Sequence, residues 1–322
     1  MRKPIANAEL HLHLEGSLAI ASAIEIAAER GHRWGRLTHA QLRREFQYRN
    51  FQDFLKTIVE MCRVLSSIGA LERAAFELSI ALVGSGVEYA EVYCSPNIFV
   101  RWGLDGREVL EALDRGFSRG EEEGGARCAV LLDSVRQFGV EAAHLVLDLH
   151  EAMPLPRVVG FGLGGDETIS LRDFRSVYER ARALGLATVA HAGEMGPPGD
   201  VADALDVLQC DRIAHGIRAV EDRGLLRALA SRRVPLDIAI TSNYRTGAAR
   251  GAHPLRALLD HGVAVTLSTD DRSLFRTDLP REYARARRCG ATEAELAQIA
   301  RNSVAFSFAP METRRRLLDG LG

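Results

Sequence analysis

Residues 8–17 read Ala8-Glu9-Leu10-His11-Leu12-His13-Leu14-Glu15-Gly16-Ser17. The apolar run at 8–14 is short and gives way to polar residues, the pattern of a buried strand that ends in a loop. His11 and His13 stand two apart, so on a strand both rings leave the same face. Seven more short apolar runs follow, at 87–94, 126–133, 158–163, 187–191, 212–215, 235–240 and 263–269. Most are followed by segments of 3.6-residue periodicity, as at 107–120, 171–184, 221–230 and 254–261. Strands alternating with helices specify parallel βαβ units. Eight units without a linker break predict a (β/α)8 TIM barrel, an α/β fold whose interior face would carry His11 and His13. A doubly wound open sheet is the competing arrangement.

One stretch breaks the rhythm. Between the first two runs lie residues with apolar i, i+3, i+4 spacing at 51–65 and 71–82. They predict extra helices inserted after the first strand, at about 32–85, packed over the barrel mouth as support or as a lid. The whole chain, 1–322, reads as one domain built on the barrel.

Composition narrows the partners. The 322 residues are 47% hydrophobic and 26% charged, which excludes fibrous and disordered classes. A net charge of −2 offers no basic field for nucleic acid or an anionic membrane. Lys3 and Lys56 are the only lysines, which leaves little for Schiff-base chemistry. The five cysteines, Cys62, Cys94, Cys128, Cys210 and Cys289, form no CxxC pair. With no secretory leader pattern and no 18-residue apolar stretch, these thiols point to a cytoplasmic protein.

Polar residues gather at the ends of the runs. The fifth ends Thr188-Val-Ala-His191-Ala-Gly-Glu194, the sixth Ala214-His215-Gly216, and the eighth Ser268-Thr269-Asp270-Asp271. In a barrel these C-terminal ends converge on the mouth where chemistry is placed. Each element has a plain reading: hydrogen-bonded histidines, or an Asp pair capping a helix. Taken together, three histidines and one aspartate make a nitrogen-rich site suited to Zn²⁺ or a similar ion. Glu194 and His215 are then left for proton transfer and polar contact near an activated water. That is equipment for metal-assisted hydrolysis at an sp² carbon, and no G-x-S-x-G elbow competes with it.

Gly160-Phe-Gly162-Leu-Gly164-Gly165 matches G-x-G-x-x-G, which would mean a dinucleotide and an NAD-dependent oxidoreductase. Asp166 and Glu167 follow at once, where a pyrophosphate needs a helix start free of negative charge. A glycine-rich strand end that lets a ligand approach the backbone is the better account.

At these residues the sequence resembles the adenosine deaminase family of the amidohydrolase superfamily over nearly its whole length. The motifs occur in the family's order: residues 9–17, Gly165-Asp166-Glu167, His191-Ala-Gly-Glu194, His215-Gly216, Thr241-Ser242-Asn243 and Ser268-Thr269-Asp270-Asp271. The resemblance implies zinc-dependent deamination at C6 of a 6-aminopurine nucleoside, with one zinc per chain on His11, His13, His191 and Asp270. It implies Glu194 as the acid at purine N1, His215 orienting the attacking water, and Asp271 at N7. It also implies the Gly165 N–H at N3 and Glu15 at the ribose 5′-hydroxyl. The sequence departs from the family at Ser268 (usually Asn), Arg272 (Pro), Gly162 (Asp) and Ala239-Ile240 (Cys-Pro). Arg272 follows the Asp pair and is expected to offer a guanidinium fork at the mouth, as a surface ion pair or as a contact for an anionic substituent. Aminodeoxyfutalosine, whose aryl carboxylate lies beyond C5′, would give such an arginine work. Adenine is the other alternative substrate.

Overall fold

The eight runs are eight strands, paired in chain order in a computed structural model that describes residues 7–321. They are β1 (Ala8–His13), β2 (Tyr89–Cys94), β3 (Arg127–Val135), β4 (Val158–Gly164), β5 (Ala187–Ala192), β6 (Arg212–His215), β7 (Leu236–Ile238) and β8 (Val265–Leu267). Every neighbouring pair is parallel. The ring closes between β8 and β1, where His13 N–H donates to Asp270 O at 2.9 Å and Asp270 N–H to His11 O at 3.0 Å. This is a TIM barrel, as the alternation of runs and helices predicts.

The interior is layered, as alternating strand side chains require. Ala8, Leu10, Tyr89 and Ala129 pack at the bottom with Val304, Ala309 and Leu317 from the C-terminal region. Above them buried Arg212 pairs with Glu91 at 2.6 Å and Asp237 at 3.0 Å, so its charge does not stand alone. Tyr93, Leu131, Val189 and Ala214 form the next layer. The polar mouth lies above it.

Helices cover the outside with their apolar sides. Three late ones, Leu279–Arg288, Glu293–Ala305 and Met311–Leu321, complete the coat. Asn302 on the middle one donates to Val265 O at 2.9 Å.

The insertion after β1 holds four α-helices: Ile20–Glu29, His39–Glu45, Phe51–Leu65 and Ile68–Val83. These helices take two different positions. Phe51–Leu65, capped by Asn50 accepting from Asp53 N–H, lies at the mouth. The segment 71–82 instead belongs to Ile68–Val83, which lies against Gly106–Glu122 in the outer coat. Gly116 and Gly120 make that contact possible, since a Cβ on either would collide with Glu72, Ala75 or Ser79. Helical periodicity is the same for a coat helix and a mouth helix, so the sequence pattern could not separate them.

Candidate active site

Two backbone irregularities aim the histidines. On β1 an extra residue is accommodated between Glu9 and Leu12, a bulge that shifts the alternation. Leu10 faces inward below it, and His11 and His13 face inward above it, with ring centroids 5.4 Å apart. On β6, Arg212 and Ala214 face the interior, so simple alternation would turn His215 out. A left-handed backbone at His215 (φ 62°) and Gly216 (φ 65°) brings its ring back to within 4.9 Å of His11. Asp270 is also left-handed (φ 62°). Non-glycine residues held there are uncommon, and both lie at strand ends over the mouth.

Ligand atoms of His11, His13, His191 and Asp270 gather within 4.8 Å of one another. His191 Nε2 lies 3.1 Å from His11 Nε2 and 3.2 Å from His13 Nε2. Asp270 Oδ1 lies 3.5 Å from His11 Nε2 and 3.3 Å from His13 Nε2. Ligands 90–120° apart on an ion with bonds of about 2.1 Å would be separated by roughly 2.9–3.6 Å. These four of the six spacings fall in that range, and the cluster fits a small divalent cation. His191 Nδ1 faces Leu163 O at 3.2 Å, which fixes its proton there and leaves Nε2 bare. Burial and the neighbouring imidazoles hold His11 and His13 well below the usual histidine range. Burial and Arg136 hold His191 at about 4. Neutral imidazoles are the form that ligates.

Glu194 lies beside the cluster. Thr246 Oγ1 donates to its Oε1 at 3.0 Å, and its Oε2 lies 3.6 Å from His215 Nε2. Burial, then Asp270 and Glu167, push its pKa well above the usual carboxylate range. The loop carrying it is held from two sides. Glu167 accepts from the backbone of Glu194, Met195 at 2.7 Å and Gly196. Arg136, fully buried, donates to His191 O. Asp271 is buried over Gly16, where a Cβ would overlap its carboxyl, and its Oδ1 has no partner.

One cavity joins these groups. Its polar end is formed by the cluster, Glu194, His215 and Asp271, and its apolar wall by Phe51, Phe54, Leu55 and Ile58 of the inserted helix. Glu15 also lines it, accepting from Ser95 N–H at 3.0 Å. So does Gly165, whose φ of 105° and closeness to Gln137 exclude a side chain. β4 runs through Gly160, Gly162 and Gly164 inside the barrel, and 165–170 is not helical, so the G-x-G-x-x-G spacing opens no helix N-terminus.

Nine of the ten expected site residues therefore meet at one mouth. Arg272 does not. Its guanidinium donates to Ser85 Oγ at 3.1 Å and is absent from the cavity lining. It begins the short helix Arg272–Phe275, and its side chain reaches the turn between Ile68–Val83 and β2, where Ser85 lies. The expectation that it meets substrate is corrected accordingly.

The profile of the adenosine deaminase family matches residues 6–322. The chain belongs to the adenosine deaminase family. An adenine deaminase of Streptomyces coelicolor is 37% identical over 95% of this chain and 91% of its own length. An aminodeoxyfutalosine deaminase of Streptomyces avermitilis is 33% identical over 97% of this chain and 89% of its own. Among solved structures, an adenine deaminase from Arthrobacter aurescens superposes with a TM-score of 0.93 at 29% identity, over 99% of this chain and 98% of that one. This family member is thus an aminohydrolase acting on purine-like amidines.

Several groups at the mouth escaped the sequence reading. Asp133, near the C-terminal end of β3, accepts from Ser95 Oγ at 2.8 Å and is pushed up to about 7 by burial. It stands opposite Gly162, where the family usually has its own aspartate. The strand-end rule that found His191 would have found Asp133, which closes the run at 126–133. Arg136, Thr246 and His253 carry no such positional signal.

Proposed function

We propose that the protein removes the 6-amino group of an uncharged 6-aminopurine nucleoside by hydrolysis, releasing ammonia, with one zinc ion on His11, His13, His191 and Asp270. The observation that carries this reading is the four-ligand cluster set beside a buried, proton-retaining Glu194 at the polar end of a single cavity. A nitrogen-rich set with one carboxylate suits zinc. The ion supplies a coordinated water whose pKa is lowered toward neutrality.

The chain's own residues do the rest. Glu194 gives its proton to N1, which makes C6 electrophilic. His215, on the opposite side of Glu194 from Thr246, orients the attacking oxygen. The Asp271 carboxyl, whose pKa burial and then Asp270 push well above the usual carboxylate range, donates its hydrogen to N7, which offers only a lone pair. The Gly165 N–H reaches N3, and Glu15 takes a sugar hydroxyl. The aromatic wall from Phe51–Leu65 excludes water from the bound base.

The substrate carries no phosphate or carboxylate. Among the described residues no arginine or lysine lines the cavity, and an anion buried without a partner is heavily penalised. That weighs against aminodeoxyfutalosine as well. Free adenine is the second reading, favoured by the adenine deaminases among the relatives. The five free cysteines, four of them buried, suit a cytoplasmic enzyme.

Ammonia release from adenosine, deoxyadenosine, adenine and aminodeoxyfutalosine tests the reading. The highest kcat/KM is expected with a nucleoside. A preference for adenine replaces it with the second reading, and no turnover of any 6-aminopurine by metal-replete protein overturns both.

A further inference from the structure

A line of buried polar groups runs away from the cavity behind His215, and the mechanism above uses none of them. Leu255 N–H donates to His253 Nδ1 at 3.1 Å. His253 Nε2 lies 3.1 Å from Asn243 Oδ1. Asn243 Nδ2 lies 3.0 Å from His215 Nδ1. All three side chains are buried, so no water competes for these contacts.

We propose that His253 and Asn243 are positioning residues that hold His215 in the tautomer with its proton on Nε2. The proposal rests on the reading of His215 as a group that acts at the reaction centre. The direction of every bond in the line follows from its far end. A backbone N–H can only donate, so His253 Nδ1 must accept and the proton of the neutral ring sits on Nε2. That proton needs an acceptor, so Asn243 turns its carbonyl to His253 and its amide NH₂ to His215. His215 Nδ1 then accepts, and its single proton is on Nε2. No choice of amide orientation enters, because the opposite flip would set two donors against each other at His253. Burial holds His253 at about 4, so the ring is neutral at physiological pH, as the line requires.

The orientation has a chemical consequence. His215 Nε2 faces Glu194 Oε2 at 3.6 Å and Asp270 Oδ2 at 3.8 Å, the side from which the proposed reaction brings the attacking oxygen. A ring protonated on Nε2 donates to that oxygen and steadies negative charge on it. It cannot take the proton of the attacking water, so His215 is a donor in this reaction and the base is a carboxylate. The line also explains why Asn243, with no contact to the cavity, occupies a fully buried site one helical turn after β7.

Long-range ¹H–¹⁵N correlation spectra of the metal-loaded, ¹⁵N-histidine-labelled enzyme read the tautomer directly, with the His215 signal assigned by its loss in His215→Gln. The wild type is expected in the Nε2–H form. Asn243→Asp puts an acceptor-only group of the same shape in the line, so the His215 proton should move to Nδ1. In that variant kcat should fall by about 100-fold, with KM changed less than about threefold and metal content unchanged. His253→Leu frees the Asn243 amide to turn, and His215 should then show a mixture of tautomers. A wild-type His215 found as Nδ1–H or as imidazolium overturns the proposal, as does Asn243→Asp with an unchanged tautomer. The wild-type spectrum decides alone if Asn243→Asp does not fold. If the proton moves but kcat stays normal, the positioning line stands and the catalytic reading of His215 falls.

Discussion

Replacing Glu194 by glutamine separates binding from proton transfer. The carboxyl is buried, accepts from Thr246 Oγ1 at 3.0 Å through Oε1, and approaches His215 Nε2 at 3.6 Å through Oε2. Glutamine keeps the shape. Its carbonyl can keep the Thr246 bond, and its amide can still offer a hydrogen to a purine ring nitrogen. What it cannot do is give that hydrogen up. The loss is therefore confined to the transition state, where a positioned general acid is worth about 10²–10⁴ in rate, or roughly 2.7–5.4 kcal/mol. KM should stay within a few-fold, and metal content should not change because Glu194 is outside the cluster. Glu194 also sits among the carboxyls of Asp270 and Glu167, whose repulsion raises its pKa. A glutamine needs no proton taken up on folding to stay neutral there, so the cost linked to the raised pKa disappears and the melting temperature should hold or rise. Steady-state conversion of aminopurine to 6-oxopurine, with metal analysis and thermal melting, measures all four quantities. A Glu194→Gln enzyme with kcat within tenfold of wild type and a raised KM would show that Glu194 only binds, and the assignment of the acid would be wrong.

Arg272→Ala should lower stability through the lost Ser85 contact yet leave the ratio of kcat/KM between adenosine and any anionic analogue unchanged; a selective loss for the anionic substrate would return Arg272 to the site. Gly16→Ala forces the Asp271 carboxyl to move, so activity should fall at least about tenfold with little change in metal content, and a fully active variant would remove Asp271 from substrate contact. Stripping the metal with a chelator should lower the melting temperature by about 4 °C, the shift expected for a chain of this length from a ligand at roughly 100 times its dissociation constant. An unchanged melting temperature after complete removal would mean that the cluster is not the binding site.

The barrel was legible because eight apolar runs recur with helical segments between them, and each run lies on an observed strand. The mouth was legible for a related reason: polar residues at strand ends have one place to go in this fold. What the sequence hid is set by the backbone. The inward turn of His215 comes from a left-handed φ, and that of His11 and His13 from a bulge, and neither follows from residue types. Arg272 misled because adjacency to Asp271 says nothing about the direction of a long side chain once a helix begins. Asn243 and His253 are ten residues apart on a helix and a loop, and only the folded chain shows them in line behind His215.

The reaction proposed for this protein is hydrolysis at C6 by a metal-dependent site. Its most direct test is a single-turnover reaction in H₂¹⁸O with a 6-aminopurine nucleoside and enzyme carrying one metal per chain. One ammonia released per substrate and one ¹⁸O atom at C6 of the 6-oxopurine product are expected, both lost on metal removal and restored by zinc. Product without ¹⁸O at C6, or full turnover by metal-free protein, would contradict it.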